Sequence, residues 1–226
     1  MGDRHRAALD PGAIDAILFD LDGTLMDTDD QMVESLALRL QRLGRPRLYR
    51  GARRLVMAAE GPANTLMTVL DTVGLDAPLL GIWNWLRRLR SAGEEPEYRL
   101  MSGGKAMLAD LGQRYQLAVV TTRGREKAEA FLDQHDLADR FDVVVTREDT
   151  WRLKPHPAPI RLAADRLGVG VERCVMVGDT TVDVKSARRA GAKAVAVVCG
   201  FGGRAELERA QPDVLAEHVS DLSSFL

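Results

Sequence analysis

The chain has 226 residues, 46% hydrophobic and 28% charged, proportions that exclude a disordered tail or a small disulfide-stapled scaffold and allow a sizeable buried core. Its 31 basic residues against 33 acidic ones give a net charge of −2, without the basic surplus of a dedicated nucleic-acid binder. The two cysteines, Cys174 and Cys199, sit in apolar strand-like runs and read as buried free thiols in a reducing, cytoplasmic setting.

Residues 1–12 carry charges but no apolar signal region, and the longest apolar runs are about six residues against the ~18 that span a bilayer, so neither secretion nor membrane anchoring is expected. A first strand is predicted at 16–19. Further apolar runs of strand character follow at 117–120, 143–145, 174–177 and 194–198, and helix-like stretches at 126–135, 158–167 and 182–190 lie between them. Strand alternating with helix predicts an α/β fold, a parallel sheet doubly wound with helices on both faces. The connection between the first and second strands exceeds an ordinary crossover by roughly 70 residues, so something is inserted there.

The insertion reads as helices. Residues 31–43 place Met32, Val33, Leu36, Leu40 and Leu43 on one stripe, with Asp29 or Asp30 to cap the start and Gly44 the end. Residues 63–73 repeat the pattern through Leu66, Val69, Leu70 and Val73. Residues 78–91 set Leu79, Ile82, Trp85, Leu86 and Leu89 against Asn84, Arg87, Arg88 and Arg90. Trp83 and Trp85 read as core aromatics of this unit. The chain therefore divides into a core of residues 1–27 and 97–226 and an all-helical cap of residues 28–96.

The polar residues that follow the strands carry the chemistry. Strand one runs into Asp20-Leu21-Asp22-Gly23-Thr24, strand two into Thr121-Thr122-Arg123, strand three is followed by Lys154-Pro155, and strand four ends in Gly178-Asp179-Thr180-Thr181-Val182-Asp183. In a parallel sheet these carboxyl ends share one edge, the ligand-binding edge of open α/β folds. Asp20, Asp22, Asp179 and Asp183 are too many like charges to stand together without a counter-ion, and carboxylates with no His or Cys nearby select Mg²⁺ over zinc. A cation, a lysine, the hydroxyls of Thr121 or Thr122 and loop N–H groups suit a phosphoryl group. Asp20 can be the nucleophile of an aspartyl-phosphate mechanism, and Asp22 can protonate the leaving oxygen and then activate water.

In order and spacing these residues resemble the haloacid dehalogenase superfamily of phosphohydrolases, over nearly the whole chain from about residue 14. Asp20 to Leu25 looks like its first motif, Thr121 its second, Lys154-Pro155 its third and Gly178 to Asp183 its fourth. Residues 25–28 leading into helices, Lys154 to Pro159, Ala187 to Gly191 and Gly200-Phe201-Gly202 are similar to the phosphoglycolate phosphatase branch, which carries a helical cap after motif one. The resemblance implies a Rossmann-like core, Asp20 and Asp179 as side-chain ligands of Mg²⁺, Asp22 as a ligand through its backbone carbonyl, and Asp183 supporting the metal. It makes Thr121 and Lys154 the holders of the transferred phosphate. Position 122 is Thr where the family usually has Asn, which puts the usual substrate contact there in doubt.

The cap would choose the substrate. Arg45, Arg47, Arg50, Arg53 and Arg54 are five arginines in ten residues with no acid among them. They read either as a solvated basic face or, through Arg50, as a contact to a second anionic group; Arg123 is the corresponding candidate on the core. The expected activity is Mg²⁺-dependent hydrolysis of a small soluble phosphomonoester, phosphoglycolate-like, with neither nucleic acid nor membrane as partner. A sugar-phosphate mutase of the same superfamily, similar to β-phosphoglucomutase, and an inert binding protein on this fold are the alternatives.

Overall fold

The computed structural model describes residues 9–27 and 99–226. The chain divides into two units, Met1–Asp29 with Tyr98–Leu226, and Asp30–Glu97; every described residue belongs to the first. The three helices predicted within 28–96, and Arg50 with its neighbouring arginines, lie outside the described residues.

In chain order the described elements are β1 Ala16–Phe19, β2 Met26–Asp27, β3 Arg99–Leu100, α1 Gly104–Leu111, β4 Gln116–Val120, α2 Arg125–Gln134, β5 Val143–Val145, α3 Ala158–Leu167, β6 Cys174–Gly178, α4 Thr181–Ala190, β7 Lys193–Val197, α5 Arg204–Ala210 and β8 Val214–Ala216. Six of the strands form one parallel sheet in the order β5-β4-β1-β6-β7-β8. β2 and β3 pair antiparallel, Asp27 opposite Arg99, and so close the two ends of the intervening segment onto each other.

β1 is buried and apolar throughout, and β4 and β7 are so after an exposed first residue, Gln116 and Lys193, because both faces of the sheet are covered. Alternation along β1 divides the core in two. Ile17 and Phe19 belong to a layer with Met107, Leu108, Leu111 and Phe131 from α1 and α2. Ala16 and Leu18 belong to the opposite layer, with Ile160, Ala163, Val184 and Ala187 from α3 and α4. Sequence punctuation ends the helices: α3 stops at Gly168 and α4 at Gly191, both left-handed with φ of +71° and +94°.

The doubly wound α/β fold expected from the alternation of strand and helix is present. β2, β3, β8 and the helices α1 and α5 add to the predicted elements; β8 has one β-branched residue, Val214, where the equally short edge strand β5 has three valines, so its strand signal is weaker. One expectation needs correction. Cys174 is buried, but Cys199 lies beyond the end of β7, only half-buried, because the chain has already turned out of the sheet there. No helix of the described residues is long and apolar enough to cross a membrane.

From β1 the chain first builds outward through β4 and β5, then returns to the other side of β1 and builds through β6, β7 and β8. The carboxyl ends of β4, β1 and β6 are therefore neighbours at the point where the winding reverses, where side chains from distant segments meet over an open crevice. Phe131 is fully buried between α2 and the sheet, and Phe131→Ala should cost about 3–5 kcal/mol of unfolding free energy, read as a lower denaturant midpoint at unchanged slope.

Candidate active site

Asp20 follows β1 directly, Thr121 follows β4 and Asp179 follows β6, so the parallel register delivers all three to one edge. After Asp20 the chain turns sharply: the N–H groups of Leu25 and Met26 donate to Leu21 O at 3.0 and 2.8 Å, and that of Gly23 donates to Met26 O at 2.9 Å. Gly23 has φ of +73°, and a Cβ there would stand 2.2 Å from Asp179 Oδ2. Glycine is what allows the turn to close on Asp179. From the opposite side Gly200 approaches equally closely, its Cβ position also 2.2 Å from the same oxygen. Asp179 is thereby wedged between two loops; its Oδ1 accepts from Thr24 Oγ1 at 3.3 Å and its Oδ2 from the Phe201 N–H at 2.7 Å.

Lys154 is buried at the centre. Its Nζ donates to Val120 O at 2.9 Å and to Asp183 Oδ1 at 2.6 Å, and lies 3.0 Å from Asp20 Oδ1. These contacts account for the three protons of an ammonium group. Asp183, in the first turn of α4, also caps that helix: its Oδ2 accepts from Thr180 Oγ1 at 2.5 Å and Thr180 N at 3.2 Å. Both of its oxygens are engaged, so its position is set by the helix and by Lys154 together.

Asp20, Asp179 and Asp183 are all buried, and each presents an oxygen within 4.8 Å of the others. Fully ionised, three carboxylates against one ammonium leave two negative charges, the charge a divalent cation would neutralise. The proton equilibria reflect that imbalance. Burial raises the Asp20 carboxyl to about 7, the pull of Lys154 being opposed by Asp183 and Asp22. Burial, with Asp183 and Asp20, holds Asp179 well above the usual carboxylate range. Burial opposes the charge on Lys154, yet Asp183 and Asp20 together raise its pKa above the usual lysine value, so the ammonium stays charged. A donor set made of buried carboxylate oxygens alone fits a hard cation of the Mg²⁺ or Ca²⁺ kind.

The Asp22 side chain takes no part in this acid group, contrary to a cluster of four carboxylates. It faces Arg123, whose Nε donates to its Oδ1 and Oδ2 at 3.1 and 2.9 Å and whose Nη2 donates to Oδ1. Thr121 is buried and its Oγ1 accepts from the Arg123 N–H at 3.0 Å, an arrangement that leaves the hydroxyl proton to donate. Thr122, the next residue, is exposed. The structure thus brings Asp20, Thr121, Lys154, Asp179 and Asp183 to one edge, with Asp22 and Arg123 beside them as a pair. Sequence reasoning missed Thr24 and the Phe201 N–H as supports of Asp179. Thr24 and Phe201 lie inside recognisable motifs, but nothing in a motif says that Thr24 meets a residue 155 positions away.

A family model described as haloacid dehalogenase-like hydrolase matches residues 17–197. The chain belongs to the haloacid dehalogenase-like hydrolases. Among curated proteins, pyrophosphatase PpaX of Bacillus cereus (strain AH820) is 32% identical over 214 residues, covering 94% of this chain and 96% of that protein. A haloacid dehalogenase superfamily hydrolase, subfamily IA, variant 1, from Geobacter sulfurreducens superposes with a TM-score of 0.64 at 25% identity, over 94% of this chain and 96% of the other. A Haemophilus somnus protein whose phosphoglycolate phosphatase activity is itself a prediction shares the fold, with a TM-score of 0.63 at 20% identity over 94% and 97%.

For this family member the raised Asp20 pKa has a measurable consequence. Between the ordinary value of 3.8 and about 7 the folded chain holds a proton that the unfolded chain has released, so rising pH across that window destabilises the metal-free protein. A divalent cation held by this carboxylate would have to displace that proton, so its binding would strengthen as pH rises. Differential scanning fluorimetry should show a larger Mg²⁺-induced rise in Tm at pH 8 than at pH 6, approaching the equivalent of about 2.7 kcal/mol at a hundredfold excess over Kd.

Proposed function

We propose that this chain is a Mg²⁺-dependent phosphatase that hydrolyses a small phosphorylated metabolite through an aspartyl-phosphate on Asp20. The observation that carries the reading is the buried group of Asp20, Asp179 and Asp183 around Lys154, found at the ligand-binding edge of a haloacid dehalogenase-like hydrolase. Two substrates lead the list to assay. Phosphoglycolate is the expectation from the sequence motifs, and pyrophosphate is suggested by the name of the PpaX relative.

In this reading Asp20 and Asp179 hold the cation with their side chains, Asp22 through its backbone carbonyl, and Asp183 steadies the arrangement through Lys154 and the start of α4. The cation, when bound, supplies charge neutralisation of the phosphoryl oxygens. Lys154 orients Asp20 and offsets the repulsion between that carboxylate and an incoming dianion. One Asp20 oxygen attacks phosphorus while the bond from phosphorus to the leaving oxygen breaks, and Asp22 delivers a proton to that oxygen. Asp22 then takes a proton from water as the water oxygen attacks phosphorus, and the bond to Asp20 breaks, restoring the carboxylate. Thr121 donates to the transferred phosphoryl group, with Thr122 at the same loop. Residues 28–96 are proposed as the helical cap, with Arg50 as one of its substrate contacts.

A phosphate-release assay in Mg²⁺ with an aryl phosphate, phosphoglycolate and pyrophosphate tests the reading, and no release from any of them would overturn it. Asp20→Asn keeps the shape but removes the nucleophile and a carboxylate ligand; turnover should fall at least about a thousandfold, with an unchanged circular dichroism spectrum. Asp22→Ala should cost about 10²–10⁴-fold on an alkyl phosphate, the range of general acid catalysis, and clearly less on an aryl phosphate whose leaving group needs little protonation. Equal losses on the two would remove Asp22 from the acid role.

A further inference from the structure

Asp22 and Arg123 are 101 positions apart, and their pairing is the unexpected feature of this edge. The guanidinium closes on the carboxylate through both Nε and Nη2, the fork arrangement that makes an ion pair directional as well as strong. It is sheltered: the arginine side chain is 15% exposed and the aspartate 30%. The backbone N–H of the same arginine is tied to Thr121 Oγ1, so the fork is carried by the loop proposed to hold the phosphoryl group.

Two consequences follow from this geometry. Both carboxylate oxygens of Asp22 are engaged by the guanidinium, so releasing this pair is what would free the side chain to turn to a leaving oxygen. The same fork matches a second phosphoryl group or a carboxylate as well as it matches Asp22. An anion arriving beside the phosphoryl position would compete with Asp22 for Arg123.

We propose that Arg123 is a partner-exchanging positioning residue: it holds Asp22 in the ligand-free protein and passes its fork to the second anionic group of the substrate, freeing Asp22. The substrate class is thereby a small phosphorylated molecule with a carboxylate or a second phosphoryl group close to the first. The role of Asp22 rests on the phosphatase reading, but the exchange itself is a property of binding and is measured without turnover.

The test is a double-mutant cycle by isothermal titration calorimetry on the full chain in excess Mg²⁺, comparing the unaltered protein with Asp22→Asn, Arg123→Gln and the double variant. The probes are imidodiphosphate for a second phosphoryl group, phosphonoacetate for a carboxylate, and inorganic phosphate, which has no second group. Removing the Asp22 charge should tighten any anion somewhat, and the phosphate titration measures that general effect. Asp22→Asn should tighten at least one two-anion probe by about fivefold or more beyond phosphate, and the excess should vanish in the double variant. The probe that shows the larger excess identifies the second group. An equal gain for all three probes, or an excess that survives the loss of Arg123, overturns the proposal. If Arg123→Gln loses phosphate binding altogether, Arg123→Lys, which keeps the charge without the fork, takes its place in the cycle and should still shed most of the excess. Hydrolysis of an aryl phosphate by the unaltered chain is measured alongside; its absence would remove the phosphatase reading while the binding cycle still decides the exchange.

Discussion

Negative charge buried at one end of a parallel sheet is the constraint around which this site is organised. Asp20, Asp179 and Asp183 are buried within a few ångströms of one another, where like charges repel more strongly than at a surface. Lys154 is the cation placed among them, and one cation is not enough. Burial first, and then repulsion from the neighbouring acids, raises Asp20 to about 7 and Asp179 well above the usual carboxylate range. Displaced carboxylate pKa values in a crevice mark places where a protein stores binding capacity at the expense of stability.

The surroundings are built to keep the carboxylates in place despite the repulsion. Asp179 is hemmed in by Gly23 and Gly200, each so close that a side chain at either would collide with the carboxylate, and is hydrogen-bonded by Thr24 and the Phe201 N–H. Asp183 is fixed by its capping role in α4. Asp20 is fixed by its place at the end of β1, where its backbone N–H continues the parallel ladder onto Val177. Each acid is anchored by a different piece of secondary structure, so the separations among them follow from the sheet and not from the acids themselves. Such preorganisation lets a site act on developing charge without reorganising at the moment of reaction.

Beside this rigid group stands a pair of a different character. Asp22 and Arg123 are partly exposed and tied to each other by a fork that other anions can use. The family usually carries Asn at position 122, where this chain has Thr before Arg123, and it is the arginine that reaches across to the first motif. In the proposed reading, the contrast between the buried Lys154 and the half-sheltered Arg123 would divide two tasks between them, holding the reacting centre and sensing what is attached to it.

Much of this was legible in the sequence because its signals are local. Apolar runs bounded by glycine and polar clusters marked β1, β4, β5, β6 and β7, and the alternation with helices implied a parallel sheet, which alone sends Asp20, Thr121 and Asp179 to one edge. Asp20, Lys154, Asp179 and Asp183 stood out as candidates because a phosphoryl site calls for their types, and the structure brings them together. β8, with Val214 as its one β-branched residue where the equally short β5 has three valines, gave little strand signal, and Cys199, in an apolar run, lies past the point where the chain leaves the sheet. Only the tertiary structure decided that Asp22 turns from the other acids toward Arg123, that Thr24 and Phe201 brace Asp179, and that Lys154 also binds the Val120 carbonyl. These contacts join segments that sequence spacing cannot relate, because their distances are set by strand order and loop closure, and a side chain near several possible partners settles on one only when all are present in space.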